Sequence, residues 1–137
     1  MTKNQKVPSN GLKKECQLDI GTFYFYDTFL IGEFKEGILV TIENFKKIHN
    51  IALEHFKNKP YGYISNRINS YTINVINFIN HEEIFEKLVA YAIVSYSNIT
   101  TSTVNYENYY FNTHRKQFEH LNDATVWVED EVRNYNL

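Results

Sequence analysis

An almost unbroken run of apolar residues from Val89 to Tyr96 constrains the fold of this chain more than any other feature of its sequence. A strand without polar alternation has both faces covered, which is typical of the central strands of parallel sheets. The 137 residues are the length of one ordinary domain, and a hydrophobic content of 43% is enough for one core. The sequence therefore predicts a single α/β domain with this run in the core of its sheet.

Aromatic and branched residues between Glu15 and Phe34 predict short strands ahead of that run, with a break at Gly21. These strands are expected to pair as an antiparallel meander that covers the core with its apolar side. Residues Met1 to Lys14 are polar and lack the apolar segment of a signal peptide, so they are predicted to form a flexible tail. The domain is then expected to span residues 15–137.

Apolar residues that recur every three or four positions predict about four helices packed against a mixed β-sheet. The clearest helix runs from Thr41 to Asn58, where the Thr41 hydroxyl can cap the first turn and Pro60 limits the end. The strand Tyr61 to Ser65 follows it. The other predicted elements are one broken helix or two short ones over Asn74–Leu88, a helix over Thr101–Asn112, a short edge strand at Phe118 and a helix from Asn122 to Arg133.

Charge and composition argue against several classes of function. The formal net charge is −2, and the basic residues occur in short pairs separated by acidic ones, so no nucleic-acid partner is predicted. No stretch approaches the roughly 18 apolar residues that a transmembrane segment needs. Cys16 is the only cysteine, which excludes an intramolecular disulfide and is typical of a reducing compartment. The predicted location is therefore cytoplasmic.

The sequence offers no recognisable catalytic or metal-binding motif. Ser65 and Ser70 lie outside any Gly-x-Ser-x-Gly turn, and no histidine or acid can be assigned to either as a base. His49 and His55 are six positions apart on the first predicted helix, about 240° around its axis, so they cannot readily chelate one ion together. We predict a non-enzymatic protein with no catalytic residues, no metal and no cofactor.

A dense polar loop follows the predicted strand Tyr61–Ser65, at a place where binding residues of α/β proteins concentrate. The predicted recognition residues of this loop are Asn66, Arg67, Asn69, Ser70 and Tyr71. A guanidinium can bind a carboxylate or a phosphate through two parallel hydrogen bonds, so Arg67 is the predicted contact for an acidic group. Two simpler alternatives stay open. Arg67 can be solvated or paired with a nearby acid, and the Asn and Ser side chains can satisfy the loop's own backbone.

Three stretches carry a resemblance to a known family: Gly62–Tyr71, Ala90–Tyr96 and Phe118–Val128. Together with the order of strands and helices, they resemble the STAS-like (SpoIIAA-like) domains of small bacterial proteins without an assigned activity. The resemblance covers residues 15 to 133 and implies a regulatory module that binds a protein partner. In the wider family a serine in the loop after a sheet strand is phosphorylated to switch partner binding. Ser70 or Ser65 occupies the comparable region.

A related group of similar architecture, the CRAL-TRIO-like domains, holds apolar ligands. This relation leaves an alternative function open, that of a carrier or sensor of a small amphipathic or lipid-like ligand. The residues expected to line such a pocket are Tyr63, Tyr71, Tyr91 or Tyr110. The partner is thus predicted to be a protein or a small ligand, and the sequence sets no oligomeric state.

Overall fold

The computed structural model of the chain describes residues 5–79, 81–97, 104–108 and 114–136. These residues contain eight strands and three α-helical segments. The strands are β1 (Lys14–Leu18), β2 (Gly21–Phe25), β3 (Phe29–Phe34), β4 (Leu39–Val40), β5 (Tyr61–Asn66), β6 (Thr72–Ile73), β7 (Leu88–Val94) and β8 (Arg115–Phe118). The helices are α1 (Ile42–His55), α2 (residues 104–108) and α3 (Leu121–Tyr135).

Six of these strands form one mixed sheet with the order β1-β2-β3-β5-β7-β8. β1, β2 and β3 pair antiparallel, which confirms the predicted meander. β3, β5, β7 and β8 pair in parallel. β7 lies between β5 and β8, and all its residues except Val89 are buried, as the apolar run predicted. β8 lies at the edge of the sheet, where a strand was predicted at Phe118. The fold is therefore a mixed α/β domain.

The sheet separates two apolar cores because neighbouring residues of a strand point to opposite faces. On one face Phe45 of α1 meets Tyr63 of β5, with ring centroids 6.0 Å apart. On the other face α3 packs its Val128 and Val132 against Ile64 and its neighbours. Gly62 permits this close approach of α3, since a Cβ at that position would collide with Val128 Cγ1. We call the two faces the α1 side and the α3 side.

The sequence predicted the start of α1 correctly. The Thr41 hydroxyl accepts a hydrogen bond from the amide of Asn44 at 3.2 Å, and Asn44 Oδ1 accepts one from the amide of Thr41 at 3.0 Å. This reciprocal pair satisfies two amides that the first helical turn leaves unpaired. The helix ends at His55, earlier than predicted, because Lys57 and Asn58 adopt positive φ angles of 54° and 63°.

The prediction of about four helices was wrong, and the difference lies in the segment Asn74–Leu88. This segment forms two short 3-10 turns, Val75–Phe78 and Glu82–Phe85, in place of an α-helix. Val75 and Phe78 are buried three positions apart, which matches the three-residue period of a 3-10 helix. Extended backbone at Ile79 then separates the two turns.

The remaining two helices correspond to predicted ones with shifted bounds. α2 lies inside the predicted helix Thr101–Asn112, whose two ends fall outside the described residues. α3 begins at Leu121, and its N-cap is His120 in place of the predicted Asn122. Within the described part of the chain, every helix is too short or too polar to reach across a lipid bilayer.

Residues 5–13, in the part of the chain predicted as a flexible tail, contact the α3 side of the domain. The Gln5 side-chain oxygen accepts a hydrogen bond from the amide of Leu121 at 2.5 Å. Gln5 thereby satisfies one amide in the first turn of α3, where His120 makes no side-chain cap. The Tyr26 hydroxyl also donates to the carbonyl of Pro8, at 2.5 Å.

Candidate functional site

The polar loop after β5 lies at the sheet edge formed by the carboxyl ends of β3, β5, β7 and β8. Alternation along the strand divides its side chains between the two faces. Ser65 and Arg67 lie on the α1 side, where they bond to each other, whereas Asn66 bonds to residues of the α3 side. The predicted recognition residues therefore do not form one site: some lie in a polar group on the α1 side, one lies in a polar group on the α3 side, and the others lie in the outer part of the loop.

Arg67 forms a buried ion pair with Glu107 of α2. Its Nη1 donates to Glu107 Oε2 at 3.0 Å, and its Nη2 donates to Oε1 at 2.7 Å. The two side chains are 2% and 1% exposed, so the pair is shielded from water. Arg115 of β8 donates to the same Oε1 at 3.2 Å. We define the Arg67 cluster as these three residues together with Ser65, Tyr71 and Tyr91.

The other members of the Arg67 cluster contact the two guanidinium groups. Arg67 Nε donates to Ser65 Oγ at 3.2 Å, and Ser65 Oγ lies 2.7 Å from the Tyr71 hydroxyl. The guanidinium carbon of Arg67 lies 4.9 Å from the centre of the Tyr71 ring, and that of Arg115 lies 4.3 Å from the centre of the Tyr91 ring. These are cation-π distances. Each arginine is therefore held by an aromatic ring as well as by Glu107.

The Arg67 cluster carries an excess of positive charge. Two guanidinium groups share the carboxylate of Glu107, so the three ionised side chains sum to +1. Burial opposes the charge of Arg67, but the hydrogen bonds and the negative charge of Glu107 favour it, and the pKa of the guanidinium is raised. Burial raises the pKa of Tyr71 to about 12 against the opposing effect of Arg67, so the phenol stays neutral. A cationic group lined by neutral hydroxyls is suited to binding an anion.

Three buried polar atoms on the α1 side have no hydrogen-bond partner among the described residues: Tyr63 Oη, Ser95 Oγ and Gln117 Nε2. Tyr63 and Ser95 are only 2% and 8% exposed. Tyr63 pairs with Tyr91 in the β5–β7 register, and Gln117 pairs with Ile93 in the β7–β8 register. Both partners belong to the core of the α1 side. Ser95 lies two residues beyond Ile93, so alternation places it on the same side.

Asn66 belongs to the polar group on the α3 side. Its Nδ2 donates to Glu33 Oε2 at 2.8 Å and to the carbonyl of Gln5 at 3.2 Å, and its Oδ1 accepts from the Tyr96 hydroxyl at 2.6 Å. Burial raises the pKa of Glu33, while hydrogen bonds from Asn66 and Tyr24 oppose the shift. Asn66 is 1% exposed, so its hydrogen bonds connect parts of the chain to one another.

Asn69 and Ser70 lie on the outer part of the loop, next to the connection between β3 and β4. Asn69 Nδ2 donates to the carbonyl of Phe34 at 2.9 Å. The amide of Ser70 donates to Glu36 Oε2 at 2.6 Å, and its carbonyl accepts from the amide of Gly37 at 2.7 Å. Ser70 is exposed, whereas Ser65 is fully buried. Ser70 is therefore the serine of this pair that a modifying enzyme could reach in the folded protein.

Sequence reasoning missed Glu107 and Arg115, the two charged residues that complete the Arg67 cluster. Glu107 is 40 positions from Arg67, so no local pattern connects them. One signal was available, because Glu107 is the only acidic residue between Glu86 and Glu119. A lone acid in so long a stretch is a natural candidate partner for a buried arginine.

The structure brings together three of the tyrosines predicted to line a ligand pocket. Tyr63 and Tyr91 meet edge to face with ring centroids 5.1 Å apart, and Tyr71 stacks on Arg67. Tyr110 lies outside the described residues. The described His, Cys, Asp and Glu side chains form no group of three that could hold a metal ion.

No protein-family model and no curated protein matches this chain. Among solved structures, the chain is similar to an uncharacterised protein of the DUF3478 family from Shewanella loihica PV-4, which is described as having a SpoIIAA-like fold. The two proteins are 11% identical, and the match covers 90% of this chain and 98% of that chain with a TM-score of 0.49.

Proposed function

We propose that the protein is a non-enzymatic binding module that recognises an acidic group with Arg67. The bidentate contact with Glu107 carries this proposal, because it holds Arg67 in the geometry that guanidinium groups use for carboxylates and phosphates. Ser65 and Tyr71 contact the same guanidinium and orient it. Without a partner, Arg67 binds the carboxylate of Glu107. An acidic group of a partner or ligand would replace that carboxylate on Arg67.

The cost of burying charge supports a binding role for the Arg67 cluster. A buried ion pair often contributes no more stability than apolar side chains of similar volume. Here three ionised side chains are buried, with Arg115 only 5% exposed. Such a group is a poor way to attach α2 to the sheet. It is well suited to a binding site, because an acid of the ligand can replace Glu107 and the two guanidinium groups then stay paired with a negative charge.

The hydrogen bonds of Ser65 support binding rather than catalysis. Its hydroxyl accepts from Arg67 Nε, and a guanidinium cannot take up the proton that a nucleophilic serine must lose. Its hydroxyl also lies within hydrogen-bonding distance of the Tyr71 hydroxyl, whose raised pKa keeps it neutral. Ser65 therefore serves to orient Arg67. We further propose a cytoplasmic location, which the free Cys16 supports.

The substitution Glu107→Gln tests the proposal, because it removes the internal carboxylate charge and keeps the shape of the side chain. We expect this variant to bind acetate and inorganic phosphate at least about tenfold more tightly than the unaltered chain does, which corresponds to about 1.4 kcal/mol. Isothermal titration calorimetry at low ionic strength measures both affinities. Adding Arg67→Lys should abolish the gain, since lysine lacks the planar fork of donors. Glu119→Gln is the matched control because Glu119 is exposed.

Two results would contradict the proposal: equal anion affinities of Glu107→Gln and Glu119→Gln, or a gain in affinity that survives Arg67→Lys. Thermal unfolding covers the case in which Glu107→Gln is too unstable for calorimetry. Phosphate or acetate should then raise the melting temperature of this variant more than that of the unaltered chain. The absence of such a rise also counts against the proposal.

The exposed Ser70 suggests how this module would be regulated. A phosphate on Ser70 would lie beside Glu36, whose carboxylate accepts from the Ser70 amide. Two negative groups at this distance repel, so the outer loop would leave its contact with the connection between β3 and β4. Arg67 and Tyr71 flank this part of the loop, which links the modification to the Arg67 cluster.

A second candidate function is the carriage of a small amphipathic ligand. The observation that favours it is that Tyr71 lies against Arg67, while Tyr91 contacts both Tyr63 and Arg115, which places aromatic surface next to a group that binds acids. A fatty acid is the simplest molecule with both parts. The two candidate functions differ in the part of the ligand that is not acidic. A carried amphipathic ligand has an apolar part, whereas the acid-binding module sets no requirement there.

A further inference from the structure

We infer that the ligand of the Arg67 cluster is a small oxygen-rich acid, such as a hydroxycarboxylate or a phosphorylated polyol. Its acidic group takes the place of Glu107, and its neutral oxygens bind Tyr63, Ser95 and Gln117. The inference rests on the proposed function, because it requires Arg67 to bind an external acid. It adds the chemical class of the ligand and assigns three further binding residues.

The unpartnered polar atoms are the observation from which this inference starts. Buried hydrogen-bonding groups are nearly always satisfied, by the chain, by water or by a ligand. Tyr63 Oη, Ser95 Oγ and Gln117 Nε2 are all buried without a partner among the described residues, and all three lie on the side of the sheet that carries Arg67. Because their strand positions neighbour those of the Arg67 cluster, we assign all three to a single bound molecule.

The register of the sheet places the backbone positions of these groups near one another. Ser65, Ile93 and Gln117 form one row across β5, β7 and β8. Gln117 thus lies two strand spacings, or about 10 Å, from the residue that orients Arg67. Tyr63 lies two residues before Ser65, in the neighbouring row on one side. Ser95 lies in the neighbouring row on the other side. It is close to Arg67 there, because the amide of Arg67 donates to the carbonyl of Val94. The backbone positions of all three groups therefore lie within about 10 Å of Ser65, a span comparable to the length of a small organic acid.

The donor chemistry of the three groups distinguishes polar from apolar ligands. Gln117 Nε2 can only donate, so it needs an oxygen acceptor. The hydroxyls of Tyr63 and Ser95 can donate and accept, which suits alcohol groups. Burial raises the pKa of Tyr63 well above its usual value, so its proton is available for donation. An alkyl chain would leave all three groups unsatisfied and would add no compensating contact for them.

Calorimetry with matched probes tests the inference in the Glu107→Gln variant. Gluconate is compared with acetate, and glycerol 3-phosphate with inorganic phosphate, so the two arms distinguish a carboxylate from a phosphate as the acidic group. We expect at least one hydroxylated probe to bind about tenfold or more tightly than its simple counterpart. Octanoate, the apolar probe, should bind no better than acetate.

Substitutions that remove the unpartnered groups should remove the preference for hydroxylated probes and leave the simple anions unaffected. Tyr63→Phe and Gln117→Leu, each added to Glu107→Gln, are expected to bring the affinity of the preferred probe down to that of acetate or phosphate. Neither Tyr63 Oη nor Gln117 Nε2 makes a hydrogen bond of standard geometry within the described chain, although Ser65 lies near enough to Tyr63 to oppose the rise in its pKa, so both variants should fold. Gln17→Leu in β1, at an exposed position, is the matched control.

Each outcome separates this inference from the proposed function. If Glu107→Gln binds acetate and phosphate but shows no preference for either hydroxylated probe, the inference is overturned and the acid-binding function stands. Tighter binding of octanoate also overturns it, in favour of an amphipathic ligand. If Glu107→Gln binds none of the anions, the proposed function itself is wrong. A preference that persists in both Tyr63→Phe and Gln117→Leu contradicts the assignment of these residues.

Discussion

Removal of either partner of the buried ion pair should destabilise the protein, and by different amounts. The side chains of Arg67 and Glu107 are 2% and 1% exposed, and breaking so buried a pair costs about 3–5 kcal/mol. Arg67→Met leaves Glu107 paired with Arg115 at 3.2 Å, so the expected loss is near the lower end of that range. Glu107→Gln leaves two buried guanidinium groups without their shared carboxylate. Its expected loss is near the upper end.

Urea denaturation followed by circular dichroism measures these losses. At about 0.05–0.15 kcal/mol per residue, a chain of 137 residues has an unfolding free energy of roughly 7–20 kcal/mol. A loss of about 3–5 kcal/mol is therefore large enough to resolve by linear extrapolation. Arg133→Met is the matched control, because Arg133 pairs with Asp130 at 2.7 Å with both side chains more than half exposed. Its expected loss is below about 1 kcal/mol.

The reasoning is refuted if Arg67→Met and Arg133→Met lose the same stability, because a buried pair and an exposed pair would then be equivalent. It is also refuted if Arg67→Met costs more than Glu107→Gln, since Arg115 would then contribute nothing to holding Glu107. Urea denaturation of both variants in the presence of inorganic phosphate gives a further comparison. Phosphate should restore part of the stability lost in Glu107→Gln, where the cations lack an acid, and none of that lost in Arg67→Met.

Three further predictions concern other parts of the molecule. Burial lowers the pKa of His49, so below about pH 6.5 the unfolded chain takes up a proton that the folded protein resists. Stability should fall from pH 7.5 to 5.5 more steeply in the unaltered chain than in His49→Gln, and parallel urea titrations would count against this. Gln5→Ala should cost about 1 kcal/mol and speed hydrogen exchange at the Leu121 amide, whereas Lys6→Ala, at an exposed position, should do neither. Ser70→Asp should speed exchange at the Ser70 and Gly37 amides through repulsion of Glu36. Glu36→Gln should suppress that repulsion, and unchanged exchange in Ser70→Asp would exclude the proposed coupling.

Elements whose signal is local could be predicted from the sequence. Most of the predicted run Val89–Tyr96 lies in the buried central strand β7, which ends at Val94, because residues without polar alternation are accommodated only between two covered faces. Thr41 became the cap of α1 because its partner, Asn44, is three positions away. In both cases the determining contacts are set by the residues themselves and their immediate neighbours.

The segment Asn74–Leu88 shows why a periodic pattern can mislead. Apolar residues three positions apart suit both an α-helix and a 3-10 turn. Tertiary contacts decide between them here. Asn77 Oδ1 accepts from the amide of Ile42 at 2.7 Å, and β6 pairs with β4 just before the first turn. Both contacts involve residues more than 30 positions away in the chain, so no window of sequence contains them.

The sequence by itself determined that a buried strand runs into a polar loop, and it predicted an acid as the partner of Arg67. Only the tertiary structure decided which acid faces it. Alternation turns Arg67 to the α1 side, and the order of strands brings Glu107 and Arg115 to it from 40 and 48 positions along the chain. The cause is physical: a charge in a water-free core must be paired, and the available partners are set by packing between distant elements.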